Sequence, residues 1–289
     1  MKSSFLERGC ATRVLVAISF HFRSTRLIYL SEVLRSLSEF SVAAMHVVIV
    51  TNTSCQEDRA LLSRLLDESL ADKTGEVRSH PDLAHPFDLT WYHKPVISSD
   101  FIAKNSGTYT HFIYLEDDTR MTFPNLCYFL EYRELLRHFG LLPSFLRMEY
   151  SDSLGGFVAS DAFWPVYVPT QSHIRLADVM LVNLPNPYNP CFILDAELAA
   201  EYVGSPSFDQ ETSRKVCNWG VRERAAMGLC FEHVPAPFQT RYVVPVSAKT
   251  SMAPPFARIS HLPNTFANNP SHVLGKNRIN VLFVGARED

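Results

Sequence analysis

Three consecutive acids, Glu116, Asp117 and Asp118, close the apolar run His111-Phe-Ile-Tyr-Leu115. Aromatic and β-branched residues bounded by charge predict a buried strand, and carboxylates at its end have to leave that core at a mouth. In open α/β sheets the crevice beyond the carboxyl ends of the strands is where ligands bind. Adjacent carboxylates repel one another and resist ionising together unless a cation neutralises them. A hard divalent ion with oxygen ligands, Mg2+ or Mn2+, answers that need and commonly arrives with substrate phosphates. The plainer alternative is that the three acids open a loop and cap the helix that follows. A second chemical feature is His93-Lys94, which stands before a predicted helix from Pro95 to about Asn105. Backbone donors at such a start, together with Lys94, suit an anion.

These residues need elements to hold them. Arg13 to Phe20 is a continuous β-rich run, followed by a polar loop and by Leu27, Leu30, Val33, Leu34, Leu37 and Phe40 at helical spacing. Met45 to Thr51 predicts a second buried strand, and Arg59 to Leu70 a second helix with leucines on one face. Strands alternating with helices at this length imply βαβ units and a parallel sheet covered on both faces. Beyond the acids, a helix is predicted from Pro124 to about Phe139 and a strand from Leu142 to Tyr150. From Ser151 the composition shifts toward Gly, Pro and aromatics with short β-like runs. The reading is one domain, residues 1–289, with a nucleotide-binding half (1–150) and a more irregular acceptor half (151–289). In that second half, helices are predicted from about Ala196 to Val203 and through Trp219 to Ala226.

The formal net charge of −3 over 289 residues argues against a polyanion-binding surface, so nucleic acid is not expected as a partner. The six cysteines, Cys10, Cys55, Cys127, Cys191, Cys217 and Cys230, form no CxxC pair and no zinc spacing. Scattered cysteines in apolar contexts fit a reducing compartment. No run approaches the roughly 18 apolar residues of a membrane span, and no apolar signal core precedes a small-residue cleavage site. The expectation is a cytoplasmic protein without a transmembrane segment.

Taken in order, the motifs resemble those of the GT-A class of nucleotide-sugar-dependent glycosyltransferases, over most of the chain. Glu116-Asp117-Asp118 is similar to the DxD motif of that class. The resemblance implies that the first acid, Glu116, faces the nucleotide and that Asp118 reaches a metal bridging the diphosphate; Asp117 beside them and Lys94 at its helix start are the further candidate nucleotide contacts. Tyr188-Asn-Pro-Cys-Phe-Ile-Leu194 is similar in place to the class's glycine-containing loop, with Asn189, Pro190 and Cys191 where glycines are usual. Trp219-Gly-Val-Arg-Glu223 looks like the acidic motif that supplies the base in inverting members, which makes Glu223 the candidate catalytic base, with Asp209 and Glu211 in reserve. His261, in Ile-Ser-His-Leu-Pro263, sits where many members place a histidine that completes the metal site.

The resemblance implies an α/β fold with a Rossmann-type, mostly parallel sheet flanked by helices, and a glycosyltransferase using Mn2+ or Mg2+. Its partners would be a nucleotide-sugar donor and a sugar, glycan or other hydroxyl acceptor. A cation at Asp118 would stabilise negative charge on the departing diphosphate, and a carboxylate would take the acceptor's proton. Flanking Arg222 and Arg224 predict a lowered pKa for Glu223, which keeps it ionised but weakens it as a base. On the residues alone, a glutamate between two arginines on a helix, such as Glu223, is more often a solvated charge cluster, and His261 is equally a packed loop histidine. Two other readings stand beside this one, a non-catalytic nucleotide-sugar-binding module and a nucleotidyltransferase. The second is disfavoured because the first strand leads into His21-Phe-Arg-Ser-Thr25 rather than a glycine-rich loop.

Overall fold

A computed structural model describes residues 7, 9–104, 108–213 and 219–286. The chain is α/β and divides into two units, each assembled from two stretches: residues 1–127 with 190–229, and 128–189 with 230–289. The break in composition at Ser151 therefore falls inside the second unit.

The first unit is built on β1 (Arg13–Phe20), β2 (Ala44–Thr51), β3 (Thr74–Ser79), β4 (His111–Glu116) and β5 (Cys191–Asp195). Their spatial order is β5-β4-β1-β2-β3. The first four are parallel and β5 pairs antiparallel with β4, Cys191 opposite Leu115. Helices α1 (Leu27–Ser38), α2 (Gln56–Leu70) and α3 (His93–Lys104) follow β1, β2 and β3. Leu30, Val33, Leu34 and Leu37 of α1 are buried, as are Leu62, Leu66 and Leu70 of α2 at every fourth position. Those stripes cover the sheet, and each fully buried leucine contributes roughly 1.5–3 kcal/mol. The central strands are apolar almost throughout, as strands buried on both faces are: Val14 to Ile18 and Val47 to Val50 are at most 1% exposed.

Register aligns the strand ends. Ser19 pairs with Glu116, Phe20 with Thr51, and Thr51 with Ser79. The carboxyl edge is thus one row, and the segments leaving it are tied together. Asn52 Oδ1 accepts from the Phe22 N–H at 2.8 Å, the His80 N–H donates to the Thr51 carbonyl at 2.7 Å, and the His80 ring packs at a tilt against Tyr92. The chain passes into the second unit within α4 (Phe123–Leu136). It returns through β5 to α5 (Ala196–Val203), α6 (Gln210–Ser213) and α7 (Val221–Ala225). Asp195 caps α5 by accepting from the Leu198 N–H at 2.8 Å.

The second unit pairs strands His173–Leu176, Val179–Asn183 and Tyr242–Ser247 antiparallel, with Leu142–Pro143 parallel at one edge. A further sheet joins Gly156–Ala159, Leu146–Ser151 and Arg258–His261. Val168, Met180, Val182, Val244, Val246 and Phe283 lie in its core. The predicted strand from Leu142 to Tyr150 is two short strands, and the predicted helix from Trp219 is only Val221–Ala225. Helix α3 begins at His93, two residues earlier than Pro95 suggested; the expected end at Asn105 lies outside the described residues. No helix among the described residues is long and apolar enough to cross a membrane.

Candidate functional site

Strand β4 delivers the acids to the carboxyl edge of the first sheet. Its last residue, Glu116, donates its N–H to the Pro190 carbonyl at 3.2 Å, and Asp117 donates its own to the Ser19 carbonyl at 3.2 Å. The acid turn is therefore held between the end of β1 and the segment leading into β5, the segment compared above with a glycine-containing loop. Asp117 and Asp118 are 4% and 5% exposed, so two carboxylates are nearly desolvated side by side.

Arg26, in the turn leading from β1 into α1, spans both acids. Its Nε and Nη2 donate to the two oxygens of Asp117 at 2.8 Å, and Nη2 donates to Asp118 Oδ2 at 2.7 Å. Burial opposes the guanidinium's charge, but the two carboxylates outweigh it and hold Arg26 charged beyond arginine's ordinary range. Asp117 moves the other way. Burial, and behind it the charge of Asp118, outweigh the hydrogen bonds from Arg26 and push its carboxyl up to about 7.

One guanidinium thus serves two buried carboxylates, and that donor set is what a metal would meet. Among the described residues no group of three or more His, Cys, Asp or Glu side chains gathers as a metal cage. The acid pair fits an ion that keeps several waters and takes the rest of its ligands from phosphate oxygens. A cation there has to share the carboxylates with Arg26.

Lys94 is not presented at the helix start. It is 4% exposed, and its ammonium donates to the carbonyls of Ser207 and Phe208 and lies 3.7 Å above the Trp91 ring. The lysine is spent on joining α3 to the 3-10 turn Pro206–Phe208, which corrects its assignment as an anion contact. His93 beside it is fully buried between the Thr90 carbonyl and the Tyr202 hydroxyl. Burial and the neighbouring Lys94 charge keep its pKa well below the usual histidine range, so the ring is neutral.

Glu223 lies in the first turn of α7, exposed, and its carboxylate makes no hydrogen bond or ion pair among the described residues. It folds back over Gly220, where an added Cβ would stand 1.9 Å from Glu223 Oε2. Among the described residues neither flanking arginine pairs with it. Arg222 reaches Asp88 at 3.1 Å, and Arg224 turns into the interior. The reserve base Asp209 instead caps α6, accepting from the Thr212 N–H at 2.8 Å, and that contact lowers its pKa. Glu211 is exposed in the same helix.

His261 belongs to the second unit. Its Nδ1 meets Glu149 Oε1, while Glu149 Oε2 accepts the Ala267 N–H, and the ring stacks on Phe266. A carboxylate facing Nδ1 favours a proton on that nitrogen. Arg26, Glu149 and the burial of Arg224 were not singled out from sequence. Arg26 was the accessible one of the three, because in a parallel sheet the segment after β1 lies beside the end of β4.

Of the six cysteines, the five described ones are free thiols, and Cys217 lies outside the described residues. No protein-family model matches the chain, and comparison with curated proteins also gives no match.

Proposed function

We propose that the protein transfers a sugar from a nucleotide-diphosphate donor to a hydroxyl acceptor, on a GT-A-like fold, with a divalent cation held at Asp118. The observation that carries this reading is the desolvated Asp117–Asp118 pair at the carboxyl end of β4, level with the ends of three parallel strands. Glu116 and Asp117 face the nucleotide, and Arg26 supplies positive charge beside the diphosphate. When bound, Mn2+ or Mg2+ supplies Lewis-acid stabilisation of the departing diphosphate.

Glu223 receives the proton of the acceptor hydroxyl. Its support is an exposed carboxylate committed to no other group and set in the first turn of a helix, where negative charge is favoured. Transfer with inversion follows from having a base distinct from the donor site. Free thiols favour a reducing compartment, and we assign the protein to the cytoplasm.

A second reading, a nucleotide-sugar-binding module without turnover, is supported by Arg26, which already neutralises part of the acid pair. Calorimetric titration with a panel of nucleotide diphosphates and nucleotide sugars, with and without Mn2+, tests both. Metal-dependent binding of one nucleotide together with donor hydrolysis or transfer supports the enzyme. The same binding without turnover supports the module. No binding by the folded protein removes both.

A further inference from the structure

Arg224 is 1% exposed, and its Nε, Nη1 and Nη2 are all sealed from solvent with no hydrogen-bond partner. A guanidinium carries five N–H donors and a permanent charge, so burying it with none of them used is strongly unfavourable. Three nearby carboxylates are placed elsewhere. Asp88 pairs with Arg222, Asp209 caps α6, and Glu223 lies exposed over Gly220.

The elements packed on α7 carry further unused donors. Helix α7 packs against the 3-10 turn Pro86–Tyr92 and against α6. The first carries the Trp91 indole N–H and the second the Ser213 hydroxyl, and both are buried without a hydrogen-bond partner. The turn Pro86–Tyr92 also packs on β1 and β2, which carry two more unpartnered hydroxyls at their carboxyl ends, Ser19 and Thr51. Four unused donors thus lie on the elements that pack on α7 or on its neighbouring turn, in the same unit as the buried guanidinium.

We propose that Arg224 anchors a buried oxyanion site that takes a phosphoryl or carboxylate group of a small-molecule ligand, with Trp91 and Ser213 as supporting donors. A planar guanidinium whose nitrogens make no hydrogen bond matches two oxygens of either group at once. The site goes beyond the reading of the acid pair and does not use a metal. Stability is given up in the ligand-free protein and recovered when the anion binds.

The test is thermal unfolding of the full chain in metal-free buffer, titrated with inorganic phosphate in one arm and malonate in the other, at ionic strength fixed with chloride. The wild type is expected to gain several degrees from at least one anion, and the responding arm identifies phosphoryl or carboxylate chemistry. Arg224→Met is expected to melt higher than wild type without anion and to show no anion response. Ser213→Ala is expected to keep the wild-type melting point and to need several-fold more anion. The proposal is overturned if neither anion stabilises the wild type, if Arg224→Met melts lower without anion, or if both variants respond as the wild type does. Should Arg224→Met not fold, the guanidinium is structural and the proposal also falls. Asp118→Asn keeps the metal-free anion response, so failure here is separable from failure of the metal reading.

Discussion

The two units treat buried charge differently. In the second, Arg147 is buried and donates to both oxygens of Asp161, with Nε at 2.8 Å and Nη2 at 2.5 Å, and it lies over the rings of Tyr188 and Phe266. Glu149 is likewise buried with His261 on one oxygen and the Ala267 N–H on the other. Only the Ser160 hydroxyl of that unit is buried without a partner among the described residues. In the first unit, two buried acids share one guanidinium, an interior arginine has no acceptor, and Glu223 is exposed and unengaged. Matched buried charges specify a fold, whereas mismatched ones cost stability and persist where a ligand completes them. On the proposed function, the charges of the second unit hold the fold and those of the first await a ligand.

The contrast can be broken most sharply at Glu223. Replacing it with Gln should leave nucleotide binding intact and lower transfer by about 10²–10⁴-fold, read from steady-state rates beside calorimetry. Equal losses in binding and rate would return Glu223 to a surface role. Next in size, Asp161→Ala leaves Arg147 buried with its ion pair broken and should cost about 3–5 kcal/mol in urea unfolding. Arg224→Met should do the opposite and stabilise the ligand-free protein by on the order of 1–3 kcal/mol. Two variants of the same sign would erase the distinction between the units.

A smaller effect lies at the amino end of β4, where His111 is pushed down from 6.5 to about 4 by burial, against a partial pull from Asp195. A group with a lowered folded pKa binds fewer protons when folded, so its stability is fully present above its unfolded value and is lost as pH falls toward the folded one. Unfolding midpoints should therefore fall between about pH 6.5 and pH 4, with a shallower decline in His111→Gln. A wild-type decline no steeper than the variant's would show that His111 is not held neutral.

Much of the first unit was legible because its elements are locally determined. The apolar runs of β1 and β2, the leucine stripes of α1 and α2, the helix Ala196–Val203 and the acids at a strand end all follow from residue type and period. What sequence obscured depends on distant partners. Arg26 meets Asp117 from 91 positions away, and Lys94 is drawn inward by carbonyls more than 100 positions downstream. Arg222 and Arg224 flank Glu223 in sequence, yet a helix turns adjacent residues about 100° apart, so proximity in the chain did not become pairing in space. The short α7 follows a similar logic, because the helical propensity of Val221 to Ala226 cannot by itself extend a segment so brief.

The central claim is that the Asp117–Asp118 pair is a metal-assisted nucleotide site, and Asp118→Ala tests it most directly. Calorimetry with a nucleotide diphosphate, with and without Mn2+, should show metal-dependent binding by the wild type that is lost in the variant. A folded wild type that binds no nucleotide with Mn2+, or an Asp118→Ala variant that binds as the wild type does, would contradict the claim and leave Asp117 and Asp118 as structural partners of Arg26.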